Sequence, residues 1–160
     1  MAVISADVES LKQYLQMQVD LIRRTCRATN DYVNCSDFIL QNGHPFIPAP
    51  LPKDISRGIM KECFRNAFML MAAHSELIYV EGYASGVIPV YHAWCVDQKG
   101  KVVDPTWGDD GQVYFGVPFS SGFVREQTLK SKKYGLIDAW DQHWPLFSME
   151  KDLWIHPTYA

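Results

Sequence analysis

Hydrophobic residues near the N-terminus recur every three or four positions, which is the spacing of one face of a helix. This spacing predicts an amphipathic helix that Ser5 caps and that ends near Thr29. A second, shorter helix is predicted from Cys35 to Gln41, because Asn42 and Gly43 then supply a stop signal. The apolar positions of the first helix are Val8, Leu11, Leu15, Val19 and Ile22.

The segment 43–58 separates these helices from the rest of the chain. It holds Pro45, Pro48, Pro50 and Pro52, and prolines at this density exclude a helix or a central strand. A third helix is predicted over 61–74, where good helix formers are apolar on more than one side. We therefore expect that helix to be central in the fold.

The middle of the chain is rich in β-branched and aromatic residues, which favour strands. The polar turn 98–101 joins two of the strands as a hairpin, and a short helix is predicted over 123–132. Helices packed on an antiparallel sheet make the predicted fold class α+β. The predicted strands are 77–84, 87–97, 102–107 and 113–117.

A length of 160 residues predicts one domain. We divide it into an N-terminal helical part (1–42), the proline-rich loop (43–58), a core that carries the candidate chemistry (59–120), and a C-terminal helix with an irregular tail (121–160). The chain is 48% hydrophobic and 21% charged, which excludes a largely disordered protein and a coiled coil. Its net charge of −3 gives no electrostatic reason to bind nucleic acid or an anionic membrane.

The N-terminus and the cysteines predict a cytoplasmic location. No basic segment with a long apolar run opens the chain, and no stretch approaches the ~18 apolar residues of a membrane span. The four cysteines include no Cys-x-x-Cys pair and are too few for a disulfide scaffold. Free thiols persist in a reducing compartment, so a single reactive cysteine is a serious candidate there.

Three residues form the strongest candidate for chemistry, and they occur in the order nucleophile, base and orienting acid. Cys63 lies at the start of the third helix, where backbone N–H groups favour a thiolate and can stabilise an oxyanion. His92 lies within a predicted strand, and Asp104 lies on the partner strand across the hairpin. A carboxylate beside an imidazole fixes its tautomer and stabilises its charged form.

The motifs around these residues resemble the transglutaminase-like superfamily, which belongs with the papain-like cysteine proteases, and in particular its small stand-alone members from bacteria and their phages. The resemblance covers 61–107 and implies a nucleophile helix packed on an antiparallel sheet, with thiol-based acyl chemistry and no cofactor. The residue that follows the nucleophile is Phe64, so the resemblance identifies no oxyanion-hole side chain. The motifs are Lys-Glu-Cys-Phe-Arg-Asn-Ala, Tyr-Val-Glu-Gly-Tyr-Ala, His-Ala-Trp-Cys-Val-Asp and Val-Asp-Pro-Thr.

Three further residues are candidates for binding substrate. Glu81 interrupts an apolar strand, so it lies either on an exposed sheet face or near the cleft as a binding or supporting acid. Asn66 follows Cys63 by one helical turn and either orients substrate or completes a local polar network. Trp94, which ends the His-Ala-Trp motif, is the third candidate for binding substrate.

Together, Cys63, His92 and Asp104 predict an enzyme whose thiol attacks an amide or ester carbonyl and forms a thioester. Its substrate would be a peptide, a protein or a small amide or ester, with water or an amine as the acceptor. A zinc site at His92, Cys95 and Asp104 is a weaker alternative, because residues three apart on a strand face opposite sides. The remaining alternative is a binding module that keeps the fold without catalysis. We expect no metal.

Overall fold

The computed structural model describes residues 2–26 and 31–160. Short 3-10 helices lie at Trp140–Gln142, Pro145–Ser148 and Pro157–Tyr159. The α-helices are α1 (Ala2–Thr25), α2 (Cys35–Asn42), α3 (Cys63–Ala73), α4 (Ser121–Ser131) and α5 (Lys151–Trp154). The strands are β1 (His44–Phe46), β2 (Ile78–Ser85), β3 (Pro89–Val96), β4 (Val102–Val103) and β5 (Val113–Phe119).

The five strands form one sheet in the order β1-β5-β2-β3-β4, and every neighbouring pair is antiparallel. Helix α3 packs on β3 and β2, while α1 packs on β5 and α2. The predicted α+β class is confirmed, as is the antiparallel hairpin of β3 and β4 across the turn 98–101.

Two glycines let the central strands approach closely beneath the site. Gly82 on β2 lies opposite His92 on β3 and opposite Gly116 on β5. A Cβ atom at Gly82 would lie 2.3 Å from the carbonyl oxygen of Phe115, and one at Gly116 would lie 2.8 Å from the ring of Trp94. Any larger residue would therefore separate the strands that support His92.

The two faces of β3 carry different residues because side chains alternate along a strand. Ala93 and Cys95 belong to the larger hydrophobic cluster, and the Cys95 thiol donates to the carbonyl of Ala67 in α3 at 3.3 Å. Trp94 belongs to a smaller cluster with Phe46, among other residues. The prediction that Cys95 faces away from His92 is confirmed.

The structure corrects the predicted start of α1 and the extent of the third predicted strand, and it adds a short strand to the proline-rich segment. Helix α1 begins before Ser5, so Ser5 does not cap it, because no glycine or proline stops the helix at residues 2–4. It ends at Thr25, and the predicted end near Thr29 lies outside the described residues. The proline-rich segment includes β1, an edge strand that tolerates Pro45. The third predicted strand pairs only at Val102–Val103.

Candidate active site

His92 and Asp104 form a buried pair at the edge of the sheet. Strand β4 ends at Val103, and the chain then turns so that the Asp104 carboxylate meets the imidazole of His92. The distance from His92 Nε2 to Asp104 Oδ2 is 2.7 Å. His92 is 1% exposed and Asp104 is 0% exposed. The sequence-predicted neighbours are therefore within hydrogen-bonding distance and shielded from water.

Cys63 occupies the first position of α3, where it is half-buried, and its thiol lies close enough to His92 to raise the pKa of the imidazole. Because Nε2 faces Asp104, Nδ1 is the ring nitrogen that remains for the sulfur. Residue Lys61, two positions earlier, has a φ of 67°, a left-handed conformation that costs a side chain about 1 kcal/mol or more. Backbone strain of this kind is often found at functional sites.

The start of α3 offers free backbone donors beside the thiol. Within the described part of the chain, no atom accepts a hydrogen bond from the N–H groups of Cys63, Phe64 or Arg65, and Glu62 provides no side-chain cap. The first N–H groups of a helix have no partner inside the helix and carry its positive partial charge. They can therefore bind an anionic oxygen near the sulfur.

Opposing effects set the charge state of His92. Burial lowers the pKa of His92, but the hydrogen bond and the charge of Asp104, together with the nearby Cys63 thiol, raise it to about 9. Burial likewise acts to raise the pKa of Asp104, yet His92 and the backbone N–H groups of Trp107 and Thr106 hold it below its ordinary value. The favoured state near neutral pH is an imidazolium beside a carboxylate.

Both oxygens of Asp104 are fully used as acceptors. Oδ1 accepts from the backbone N–H groups of Thr106 and Trp107 at 2.9 and 3.1 Å. Oδ2 faces His92 and also accepts from the Tyr114 hydroxyl at 2.9 Å. An ionised carboxylate accepts only, so four donors around it match the charged form. The Asp-Pro-Thr-Trp turn thus orients its own first residue.

Trp107 covers the imidazole and was not among the predicted site residues. Its ring stacks on His92 with centroids 4.3 Å apart and an interplanar angle of 21°. A flat aromatic ring over an imidazolium is electrostatically favourable and excludes water. Its position three residues after Asp104 is the signal that could have identified it.

Asn66 holds the proline-rich loop against the site. Its side-chain amide donates to the Ile59 carbonyl at 2.7 Å and to the Thr106 hydroxyl at 2.9 Å, and its oxygen accepts from the Ile59 N–H at 3.1 Å. The Gly58 N–H donates to the Pro105 carbonyl at 2.7 Å. Of the two predicted roles for Asn66, these contacts favour the local polar network. A groove of about 320 Å³ lies between this loop and α3.

Glu81 is completely buried, so the exposed-face alternative is wrong. Its carboxylate accepts from the hydroxyls of Tyr79 and Tyr91 at 2.7 and 2.8 Å, and from the backbone N–H groups of Leu136 and Ile137 at 2.7 and 3.0 Å. Burial raises the pKa of Glu81, and these four hydrogen bonds oppose the rise. A carboxylate with four internal donors and no exposed surface joins the C-terminal tail to the sheet and has no contact to offer a substrate.

We expect Glu81→Ala to lower the free energy of unfolding by about 3–5 kcal/mol, because it leaves two hydroxyls and two N–H groups buried without acceptors. Urea denaturation measures the loss. Glu76→Ala is the matched control, since the Glu76 side chain is 65% exposed, and its effect should stay within about 0.5 kcal/mol. Equal stability of the two variants would contradict the structural role of Glu81.

Trp94 is also fully buried, which corrects its prediction as a substrate-binding residue. Its ring packs edge-on against Tyr114, with centroids 5.0 Å apart, beneath the His92–Asp104 pair. The sequence analysis did not identify Tyr114. The alternation of side chains along β5 predicts that Tyr114 points inward, but it does not predict which group the hydroxyl contacts. Of the remaining thiols, Cys26 is exposed and Cys35 is half-buried.

The described residues contain neither a candidate metal site nor a membrane-spanning helix. Among residues 2–26 and 31–160, no group of three or more His, Cys, Asp and Glu side chains is arranged to hold a metal ion. His92 and Cys95 face opposite sides of β3, so the predicted zinc ligands do not converge. In the same residues, no helix combines the length and the apolar character needed to cross a membrane.

Comparison with known proteins assigns the chain to no family. No family model, no curated protein and no solved structure matches the chain.

Proposed function

We propose that the chain is a thiol-dependent acyl-transfer enzyme in which Cys63 is the nucleophile, His92 the base and acid, and Asp104 the orienting group. The observation that carries the proposal is the buried His92–Asp104 contact of 2.7 Å, with the Cys63 thiol near enough to the same imidazole to raise its pKa. A nucleophile, a base and a third group that orients the base are the arrangement that covalent acyl transfer requires.

In the proposed reaction, the proton of the Cys63 thiol already resides on Nδ1 of His92 at the start, so the resting pair is a thiolate beside an imidazolium. The thiolate then forms a bond to the carbonyl carbon of an amide or ester, and the free N–H groups at the start of α3 stabilise the resulting oxyanion. His92 returns the proton to the leaving amine or alcohol as its bond to carbon breaks. Water or a second amine, deprotonated by His92, attacks the thioester and releases the Cys63 thiol.

We infer a transglutaminase-like core on the same grounds. A nucleophile helix packed on β2 and β3, with the base on β3 and the acid after β4, supports this finer assignment. Peptides, proteins or small amides and esters are the proposed substrates, and no cofactor enters the reaction. Four free cysteines suit a reducing compartment, so the proposed location is the cytoplasm.

Alkylation of Cys63 tests the proposal without requiring a known substrate. The full chain is treated briefly with iodoacetamide at several pH values, and each cysteine is mapped by mass spectrometry. We expect Cys63 to react at least about tenfold faster than the exposed Cys26 near neutral pH, because imidazolium stabilises the thiolate. In His92→Ala the advantage should disappear, and labelling should rise only at the pH of an ordinary thiol.

The matched control is His74→Ala, which removes a histidine at the opposite end of α3. It should leave the rate and the pH profile of Cys63 unchanged. If His92→Ala also left both unchanged, the thiolate–imidazolium pair would not exist, and the proposed chemistry would be wrong. Faster labelling of Cys26, Cys35 or Cys95 than of Cys63 would have the same consequence.

A further inference from the structure

Asp104 shares one oxygen between His92 and a residue of β5, a strand that is adjacent to neither β3 nor β4 in the sheet. Tyr114 lies on β5 and is 1% exposed, yet its hydroxyl donates to Oδ2 at 2.9 Å. The same Oδ2 lies 2.7 Å from Nε2 of His92. Two donors on one oxygen compete for its charge, so the tyrosine hydroxyl and the imidazole are coupled through the carboxylate.

Tyr114 is not needed to orient Asp104. The other oxygen, Oδ1, is already held by the backbone N–H groups of Thr106 and Trp107, and the residue is 0% exposed. The effect that remains for the hydroxyl is electrostatic. A hydrogen bond to an ionised carboxylate disperses its negative charge and weakens its attraction for a neighbouring cation.

We propose that Tyr114 is a positioning residue of the site, whose hydroxyl sets how strongly Asp104 holds the proton on His92. The inference rests on the proposed function insofar as His92 carries the proton during acyl transfer. An imidazolium held too tightly is a poor acid for the leaving group. Tyr114 therefore favours release of the proton in that step.

The titratable groups that face the His92–Asp104 pair come from several elements of the fold. Burial raises the pKa of Tyr114, as do the charge and hydrogen bond of Asp104 and the charge of Asp110, so its hydroxyl remains a donor. The groups that face His92 and Asp104 are Cys63 from α3 and Tyr114 from β5, and Asp110, from the segment before β5, acts on Tyr114. Cys95 lies on the other face of β3, where the charge of Asp104 still raises its pKa.

The test follows the titration of His92 in the full chain by NMR. The chain has five histidines, and in ¹⁵N-histidine protein the His92 signal is the one that His92→Ala removes. In Tyr114→Phe we expect the His92 midpoint to rise by roughly half a pH unit or more, because Asp104 then gives its full charge to the imidazole. Tyr79→Phe is the matched control, since it removes a buried hydroxyl from the carboxylate of Glu81.

An unchanged or lowered midpoint in Tyr114→Phe would overturn the proposal, as would an equal rise in Tyr79→Phe. If Tyr114→Phe fails to fold, replacement of Tyr114 by 3-fluorotyrosine decides the matter. The more acidic hydroxyl is a stronger donor, so the His92 midpoint should fall, and a rise or no change would contradict the inference. The titration needs no turnover, so its result is separate from that of the alkylation test, which judges the proposed function.

Discussion

Cys63→Ala should reduce ester hydrolysis by the chain at least about 10⁴-fold, because no thioester can form without the sulfur. The measurement is release of nitrophenolate from p-nitrophenyl acetate, with a rapid first turnover that reports acylation in the unaltered chain. His92→Ala should reduce ester hydrolysis nearly as much, since groups that act as a unit do not contribute additively.

Cys26→Ala is the control for that experiment. It also removes one thiol, but Cys26 is exposed and directly follows α1, whereas the proposed nucleophile begins α3. Its hydrolysis rate should equal that of the unaltered chain. If Cys63→Ala retained the rapid first turnover, or if Cys26→Ala lost it, Cys63 would not be the nucleophile.

Asp104→Asn should reduce turnover by roughly 10³–10⁴-fold, because residue 104 would then donate a hydrogen bond to His92 instead of accepting one. The backbone N–H groups of Thr106 and Trp107 would hold the amide oxygen, so the amide NH₂ would face Nε2 of His92. Nε2 would then have to accept, and the imidazole proton would move to Nδ1, which faces Cys63. His92 could no longer take the thiol proton. Asp104→Ala should reduce turnover less, because the His92 imidazole can still adopt the productive tautomer.

Asp104→Asn should also change how the free energy of unfolding depends on pH. The folded pKa of His92, about 9, lies above its ordinary value of about 6.5. The His92 charge therefore contributes up to about 3 kcal/mol of stability below pH 6.5, and this contribution is lost as the pH rises through 9. Asp104 has a lowered pKa, so its contribution is present above its ordinary value and is lost as the pH falls through the folded value.

Urea denaturation at pH 6, 7.5 and 9 measures this dependence. The unaltered chain should lose stability across the range, whereas Asp104→Asn should lose little, because burial without a carboxylate no longer favours a charged His92. A parallel loss in both proteins would show that the charge of His92 does not depend on Asp104.

Local sequence determined the elements that carry the candidate site. Helix-forming residues after the proline-rich segment place Cys63 at a helix start, and the polar turn 98–101 makes β3 and β4 a hairpin. A hairpin brings residues on its two arms together through short-range geometry alone. The contact between His92 and Asp104 could therefore be predicted without knowledge of the rest of the fold.

Only the tertiary structure decided which polar groups are buried and what they meet. Glu81 is satisfied by Leu136 and Ile137, more than fifty residues away along the chain, and Asp104 by Tyr114 from a strand that is not its neighbour in the sheet. The sequence pattern shows that such a group must find partners, because an unpaired buried charge is costly. It does not say which partners, since these depend on strand order and on the path of the tail, and both are fixed by packing over the whole chain.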